Sequence, residues 1–540
     1  MNVTYRTLVI NDYNEICSLW KNSGEIGFSE SDSYEYLSFY LRRNDGLSIV
    51  VCTPDGVIVG TALNGHDGRR GFINHLYVKK EFRSLGIGRE LALRSLTLLS
   101  NEKVSKVYIF VKKNNETAIS FWNKLGYQIQ DDFLVMRRQA LPDNDNYKQY
   151  EELNAESVID YLRKKTNLLE DITEVEVTEF GDGNMNLIFR VTTPRSSFIV
   201  KQSMPHGKIN RTVYEPPERA LFENCFIEIQ SAFVSEYIVS SYYFDPILFV
   251  HVLEDLSDWD NLRSALMNQD VDIRIGDPIG VFLAKTGFYT STFYLEGKEK
   301  RKQADRFQNY RLCQISEEFV LTDPFYNASS NKFAPELLPR LQNLWANKAL
   351  LERVHYLRSK FCNQQECLLS GDCHTGNMFV KAGKIKAFDF EFAFYGPFAY
   401  DVGTIIGNLL LSYLTVDMHK NAIEDTKEYK HSILQVILNI WKTYHAISLH
   451  LLLSKECKVH MTEGYFREHL ENVRKDTLMY AVCTLFGRAY GYAQFSEITA
   501  IADYDKRVAV QKRIIDFGEH FLLEEFDSIE HFITAIKSSY

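Results

Sequence analysis

Residues 368–403, LLSGDCHTGNMFVKAGKIKAFDFEFAFYGPFAYDVG, restrict the possible fold of this chain more than any other stretch. They carry Asp372, then Asn377 five residues on, then an acidic pair, Asp389 and Glu391, after a short apolar strand. Phosphoryl transfer to a hydroxyl needs such a set. One carboxylate orients the acceptor hydroxyl, while an amide and further carboxylates hold the magnesium that bridges the phosphates. Asp372 is therefore the candidate catalytic base. Asn377, Asp389 and Glu391 are candidate ligands of Mg2+, with ATP as the donor.

At 540 residues the chain exceeds one core, so two or three folded units are expected. A hydrophobic content of 45% and a charged content of 24% are those of a soluble globular protein. The net charge of −10 argues against a general nucleic-acid binder. The nine cysteines are scattered without paired spacing, which suggests free thiols in a reducing cytosol and no zinc site. No secretory signal is read in MNVTYRTLVINDYNE. The longest apolar stretch, near 405–414, is broken by Gly407 and Asn408 and predicts a buried helix, with no membrane partner. Localisation is expected to be cytoplasmic.

A polar stretch, ALPDNDNYKQYEEL, interrupts the apolar periodicity, and the charge balance changes there from +3 over residues 1–139 to −13 over the rest. The expected organisation is a domain over 1–139, a linker over 140–154, a β-rich lobe over 155–255 and a helical lobe over 256–540.

In the first domain, strands are predicted over 47–53, 56–65, 72–78 and 104–111, with helices over 88–99 and 117–124. The third strand runs directly into Arg83-Ser84-Leu85-Gly86-Ile87-Gly88-Arg89, which opens a helix. Exposed N–H groups, a glycine-permitted close approach and the helix dipole make such a turn an anion site. Further on comes Asn115-x-x-Ala118-x-x-Phe121-Trp122-x-x-Leu125-Gly126-Tyr127. With these two elements in this order, residues 1–139 resemble the GNAT superfamily of N-acetyltransferases. The resemblance implies a mixed sheet with flanking helices and an acetyl-CoA site. Arg83, Gly86, Ile87, Gly88 and Arg89 would line the pyrophosphate, Leu76 and Val78 the pantetheine arm, and Asn115 a further contact. Many relatives carry a Tyr acid where this chain has Trp122, and indole is no acid at neutral pH. His66 and His75 are the candidates for moving a proton from the amine.

In the β-rich lobe, GDGNMNLIFRVT forms a turn between strands. Gly181 and Gly183 permit a tight cover over phosphates, with Asn184 and Asn186 beside them. Lys201 ends an apolar strand and is expected to reach the phosphates, held by Glu223 on the helix ERALFEN. Backbone groups from Glu254 to Leu256 would meet adenine. The Asp-x4-Asn spacing then matches the kinase catalytic loop. KQSMP, EPPERALFE, EDLS, LTDPFYNASSN, GDCHTGN and FDFEFAFYGPFAYDVG, in this order, resemble methylthioribose kinase over about 155–525. The resemblance implies a bilobal protein-kinase-like fold, Asp372 as base, Asp389 and Glu391 as the metal pair, and His374 and Arg488 at the acceptor. Three positions depart from the family. Ser370 replaces a His and Asn377 a Ser, while Gly487-Arg488 stands where the family carries two arginines. Either the pocket lacks a guanidinium, so that Gly487→Arg improves use of methylthioribose, or Gly487 packs a helix and a neighbouring side chain supplies the contact.

The expected protein is a bifunctional transferase, joining an N-acetyltransferase to an ATP- and Mg2+-dependent small-molecule kinase. Its partners are sugar or amine-bearing small molecules, and a homodimer is left open. The rival expectations are an enzyme that acetylates and phosphorylates an aminoglycoside-like antibiotic, and a kinase-like module that senses a ligand without turnover.

Overall fold

The computed structural model describes residues 3–23, 26, 30–130, 150–180, 185–208, 215–419, 422 and 425–539. Gly181, Gly183, Asn184 and the linker positions 140–149 lie outside the described residues. The chain divides into two compact units, Met1–Gln139 and Ala140–Tyr540.

The smaller unit is built on a sheet of β1 (Thr4–Thr7), β2 (Ile49–Cys52), β3 (Ile58–His66), β4 (Arg70–Val78) and β5 (Lys106–Tyr108), in that order. Neighbours are antiparallel except β4 and β5, which run parallel. β3 is buried along almost its whole length because both faces of the sheet are covered. Helices α1 (Tyr13–Ser23) and α2 (Tyr34–Arg43) contribute Ile16, Trp20 and Leu37 to one apolar layer. Helices α3 (Ile87–Asn101) and α4 (Glu116–Lys124) contribute Leu91, Leu99 and Trp122 to the other.

The strand expected over 104–111 is shorter than that. β4 and β5 pair only from Arg70↔Lys106 to Phe72↔Tyr108. Just beyond, β4 carries an irregularity in its register with β3 and a left-handed residue, His75, at φ 46°. A bulge of this kind bends the strand and ends pairing. The two parallel strands therefore part, and the later half of β4 has no β5 partner.

The larger unit begins with α5 (Ala155–Lys165) and an antiparallel sheet ordered β6 (Glu176–Glu179), β7 (Asn186–Thr192), β8 (Ser197–Ser203), β10 (Val250–Glu254), β9 (Ser241–Asp245). Helix α6 (Arg219–Val234) follows β8. One face of the sheet packs on α5 through Val158, Leu162, Phe189 and Val200.

Beyond Glu254 the chain is mainly helical. Short β11 (Asp260–Asn261) leads into α7 (Leu262–Met267), and β11 joins the hairpin of β13 (Met378–Lys381) and β14 (Lys384–Ala387). β12 (Cys367–Leu369) pairs with β15 (Phe394–Gly396). These strands hold the motif of residues 368–403 at the edge of a large helical core. The helical span Ala399–Met418 is long and apolar enough to cross a membrane by composition, but it is buried inside this core, as is every residue of its helix Ala399–Thr415. It packs on the helix Glu463–Ala489 through Gly403 and Gly407, where a Cβ would come within 2.5 Å of Tyr480 and of the Ala481 carbonyl. The buried helix predicted near 405–414 is this one.

Candidate functional site

The loop after β12 is positioned from within the core. Asp401, 3% exposed at the start of the buried helix, accepts from Ser370 N (2.7 Å), Ser370 Oγ (2.9 Å) and Gly371 N (3.2 Å). The Ser370 hydroxyl thus strengthens the tie where the expected pattern has a His. Gly371 sits at φ 82°, and a Cβ there would lie 2.0 Å from the Phe392 carbonyl oxygen, so no other residue fits.

Asp372 follows, its side chain 21% exposed. Arg488 donates to Asp372 Oδ1 at 2.8 Å, and His374 Nε2 lies 3.4 Å from Oδ2. His374 Nδ1 faces two groups that can only donate, Gly376 N (3.0 Å) and Arg263 Nη2 (3.2 Å). Nδ1 therefore accepts, and the proton sits on Nε2, towards Asp372. Burial, with Arg263 and Arg488 adding to it against the pull of Asp372, pushes His374 down to about 3, so the ring is neutral. The Asn377 amide donates to the Asp372 carbonyl (3.2 Å), and Phe388 N donates to the Asn377 carbonyl (3.1 Å), which ties this loop to the segment of Asp389.

Asp389 lies two residues past β14 at φ 62°, a conformation that costs energy for a non-glycine residue and is held by its surroundings. Lys201 Nζ contacts three carboxylates: Glu223 at 2.9 Å, Asp389 at 2.7 Å and Glu391 at 2.9 Å. Burial alone would raise Glu223, but Lys201 and His251 hold it below its usual range. Asp389 is raised, by burial first and by Glu391 and Glu223 beside it.

Glu391 is the most encumbered of the three. Besides Lys201 it accepts from Asn186 Nδ2 (2.8 Å) and from Arg219 Nε (3.0 Å). Arg219 is 1% exposed and also donates to the carbonyls of Met204, Pro216 and Met185 and to Asn186 Oδ1. Asn186, expected beside the nucleotide, is thereby turned inward.

The donor set suits a divalent cation. The carboxylate oxygens of Glu223, Asp389 and Glu391 converge within 4.8 Å of one another. Three carboxylates face two cations, Lys201 and Arg219, which leaves an excess of one negative charge. Asp389 and the Asn377 amide oxygen are hard ligands of the type magnesium takes. At the other end of the cleft, the Glu254 side chain is held by Lys386 (2.9 Å) and Ser240 N (3.0 Å), so only its backbone is left to meet a base.

Gly487 does not face this site. A Cβ there would lie 2.7 Å from the Phe319 carbonyl oxygen, because the helix Glu463–Ala489 crosses the helix Tyr310–Leu321 at this point. The reading in which Gly487→Arg restores a contact is therefore overturned, since the position has no room for a side chain. Overpacking of this kind costs ~1–3 kcal/mol or more. Gly487→Arg is expected to lower the thermal midpoint by several degrees without improving any kinase activity. A melt together with an ATPase-coupled assay measures both.

Sequence reasoning missed Arg263, Phe495, Glu497 and Arg219. The guanidinium carbons of Arg263 and Arg488 lie 3.6 and 4.0 Å from the Phe495 ring centre. Buried Glu497 sits 3.7 Å from Arg263 Nε. Only long-range folding brings these residues together, and no local spacing announces them.

In the smaller unit, the turn after β4 has Ser84 at φ 64° and Gly86 at φ 81°. Gly86 is the N-cap of α3 and has no side chain to cap it, and among the described residues no side chain accepts from the N–H groups of Ile87, Gly88 or Arg89. Arg83 Nε donates back to the Val78 carbonyl (2.9 Å), which fixes the turn at the end of β4. Leu76 and Val78 lie on the half of β4 that β5 leaves. The Asn115 side chain caps α4 by accepting from Ala118 N (3.0 Å).

His75 stands at the β4 bulge with Nε2 3.1 Å from Asp32 and its ring 4.4 Å from Trp20. His66 closes the β3–β4 turn, accepting from Gly68 N (3.1 Å), at the far end of β4 from the turn of Ser84 and Gly86. The structure therefore places the two histidines apart.

Residues 13–127 match the family model for the acetyltransferase (GNAT) family, and residues 305–418 that for the phosphotransferase enzyme family. The methylthioribose kinase of Yersinia pseudotuberculosis is 32% identical over 397 residues, 72% of this chain and 97% of the relative. That of Geobacillus kaustophilus is 31% identical over 367 residues, 67% of this chain and 90% of the relative. Among solved structures, the PaiA N-acetyltransferase of Thermoplasma acidophilum in complex with coenzyme A aligns at 21% identity over 24% of this chain and 92% of its own, with a TM-score of 0.22.

Proposed function

The chain belongs to the methylthioribose kinase family, with a GNAT domain at its N-terminus, and from that premise we propose that it phosphorylates a hydroxyl of a neutral methylthioribose-like pentose and acetylates an amine. We take 1–139 as the acetyltransferase, 140–154 as linker, and 155–255 and 256–540 as the kinase lobes.

The observation that carries the kinase reading is the constellation around Asp372 and Lys201. Asp372, aligned by Arg488 and by the Nε2–H of His374, takes the proton of the acceptor hydroxyl as its oxygen attacks the γ-phosphorus and the bond to ADP breaks. Lys201, braced by Glu223, reaches the α- and β-phosphates. The backbone between Glu254 and Leu256 receives adenine, while Asn186, held by Glu391 and Arg219, braces the carboxylate cluster and does not itself meet the phosphates. Asn377 and Asp389, with Glu391 behind them, would hold Mg2+, which supplies charge to neutralise the phosphates. A sensor without turnover would have no need of this complete set.

Charge beside the base favours a neutral acceptor. Arg263 and Arg488 are offset by Asp372 and Glu497, so the pocket has no negative charge to spare. With both carboxylates already paired to guanidinium groups, the pocket offers an ammonium no unpaired counter-ion, which disfavours a polycationic aminoglycoside.

In the smaller unit the same kind of argument supports acetyl-CoA. The pyrophosphate meets the uncapped start of α3, and the pantetheine arm replaces β5 along β4 at Leu76 and Val78. His75, next to Asp32, is better placed than His66 to relay the amine proton. All nine cysteines are unpaired, which suits a cytoplasmic setting.

Purified full-length protein should consume ATP with methylthioribose or a related pentose and show no consumption with aminoglycosides. Consumption with aminoglycosides and with no pentose would reverse the substrate assignment.

A further inference from the structure

We infer that Arg263 supplies the second guanidinium of the acceptor pocket and, together with Arg488, grips adjacent hydroxyls of the sugar. The inference rests on the kinase reading above and adds a specificity-determining residue to it.

Gly487 cannot bear a side chain, so the helix Glu463–Ala489 offers the pocket one arginine, Arg488. Arg263 comes from a different direction. It lies in the first turn of α7, whose N-cap Asn261 is tied to the Gly376 carbonyl by a 2.7 Å hydrogen bond. From there its guanidinium crosses over Gly376, where a Cβ would be 2.9 Å from Arg263 Cζ, so the glycine is what lets it pass. It arrives against the ring of Phe495, which Arg488 also touches.

Both arginines are thereby held beside Asp372, and neither is exhausted by its contacts. Among the described residues the Arg263 guanidinium makes one hydrogen bond, to His374 (3.2 Å), and its Nε is buried without a hydrogen-bond partner; the Nε of Arg488 is likewise unpartnered. A guanidinium carries five donors in a planar fork, a shape that suits two neighbouring oxygens. The buried Glu497 carboxylate, 3.7 Å from Arg263 Nε, offsets the added charge at a distance beyond hydrogen bonding. This is the arrangement needed to bind a neutral vicinal diol. Arg488 sits nearer the reacting hydroxyl through its contact with Asp372, and Arg263 sits one step further from it.

The test is steady-state kinetics of the full chain with methylthioribose and with an analogue lacking one ring hydroxyl, for wild type, Arg263→Gln and Arg263→Lys. The expected result is an acceptor KM raised about ten- to a hundredfold in Arg263→Gln, with the KM for ATP unchanged. Wild type should discriminate strongly against the deoxy analogue, and both variants should lose that discrimination. Arg263→Lys keeps the charge over Phe495, so it tests the fork even if Arg263→Gln folds poorly.

If Arg263 only braced His374 and Phe495, kcat would fall with both acceptors alike and discrimination would survive; that result overturns the inference and leaves the kinase reading intact. An unchanged acceptor KM in both variants overturns it as well. Failure of wild type to turn over any pentose would instead reject the kinase reading, and this inference with it.

Discussion

Replacing Asp372 by Asn is expected to reduce phosphoryl transfer by about 10²–10⁴-fold while leaving the fold intact. The substitution is nearly isosteric, so the loop keeps its shape. That loop is built from Ser370 and Gly371 hydrogen bonds to Asp401, none of which involves the Asp372 side chain. The amide, however, cannot take a proton from the acceptor. It also loses the charge that Arg488 meets at 2.8 Å, which leaves a half-buried guanidinium without its counter-ion. The effect should fall on kcat, with the KM for ATP little changed, because Asp372 is not among the groups around Lys201. Single-turnover measurements with the best pentose, alongside a thermal melt, check it. Phosphorylation at the wild-type rate would remove Asp372 from the mechanism.

Gly86→Val is expected to weaken acetyl-CoA binding to the full chain by more than a hundredfold. Gly86 adopts φ 81°, a region that L residues visit at a cost of roughly 1–2 kcal/mol and β-branched residues hardly at all. The turn must therefore change shape, and with it the direction of the N–H groups at the start of α3. The space around Gly86 is otherwise open, with nothing within 4 Å of a built Cβ, so the loss would come from backbone geometry and not from a clash in the core. Calorimetry with acetyl-CoA, with kinase activity as an internal control of folding, separates the two units. Full-strength binding would dissociate this turn from the cofactor.

Why some of this was legible in the sequence and some was not follows from how far apart the contacting residues are. The turn from Arg83 to Arg89 and the loop from Ser370 to Asn377 are continuous, and their chemistry is local, so spacing alone marks them. Lys201, Glu223, Asp389 and Glu391 come from separate segments, yet each carries its own local signal: a strand end, a helix, an acidic pair after a strand. Arg263 has no such signal, because it reaches His374 across 111 positions. Arg219 reaches Glu391 across 172. Gly487 misled in the opposite sense. A sequence records a missing side chain but not the Phe319 carbonyl that forbids one. The expected strand over 104–111 failed for a related reason, since its far half is apolar enough for a sheet but the bulge in β4 takes the partner away.

The Lys201 ammonium, surrounded by three carboxylates, stands where cationic charge is needed before any ligand arrives. In effect the protein carries a resident placeholder for the cation that the proposed kinase reading calls for. Acidic side chains that would otherwise repel one another can therefore be assembled during folding, independently of ion supply. On the proposed reading, nucleotide binding would be an exchange of partners: Lys201 would turn from Asp389 to phosphate, and Asp389 would become available to hold a cation. Assembly of the site and its loading would then be separate events, and on the proposed reading a shortage of metal would idle the kinase without unmaking its fold.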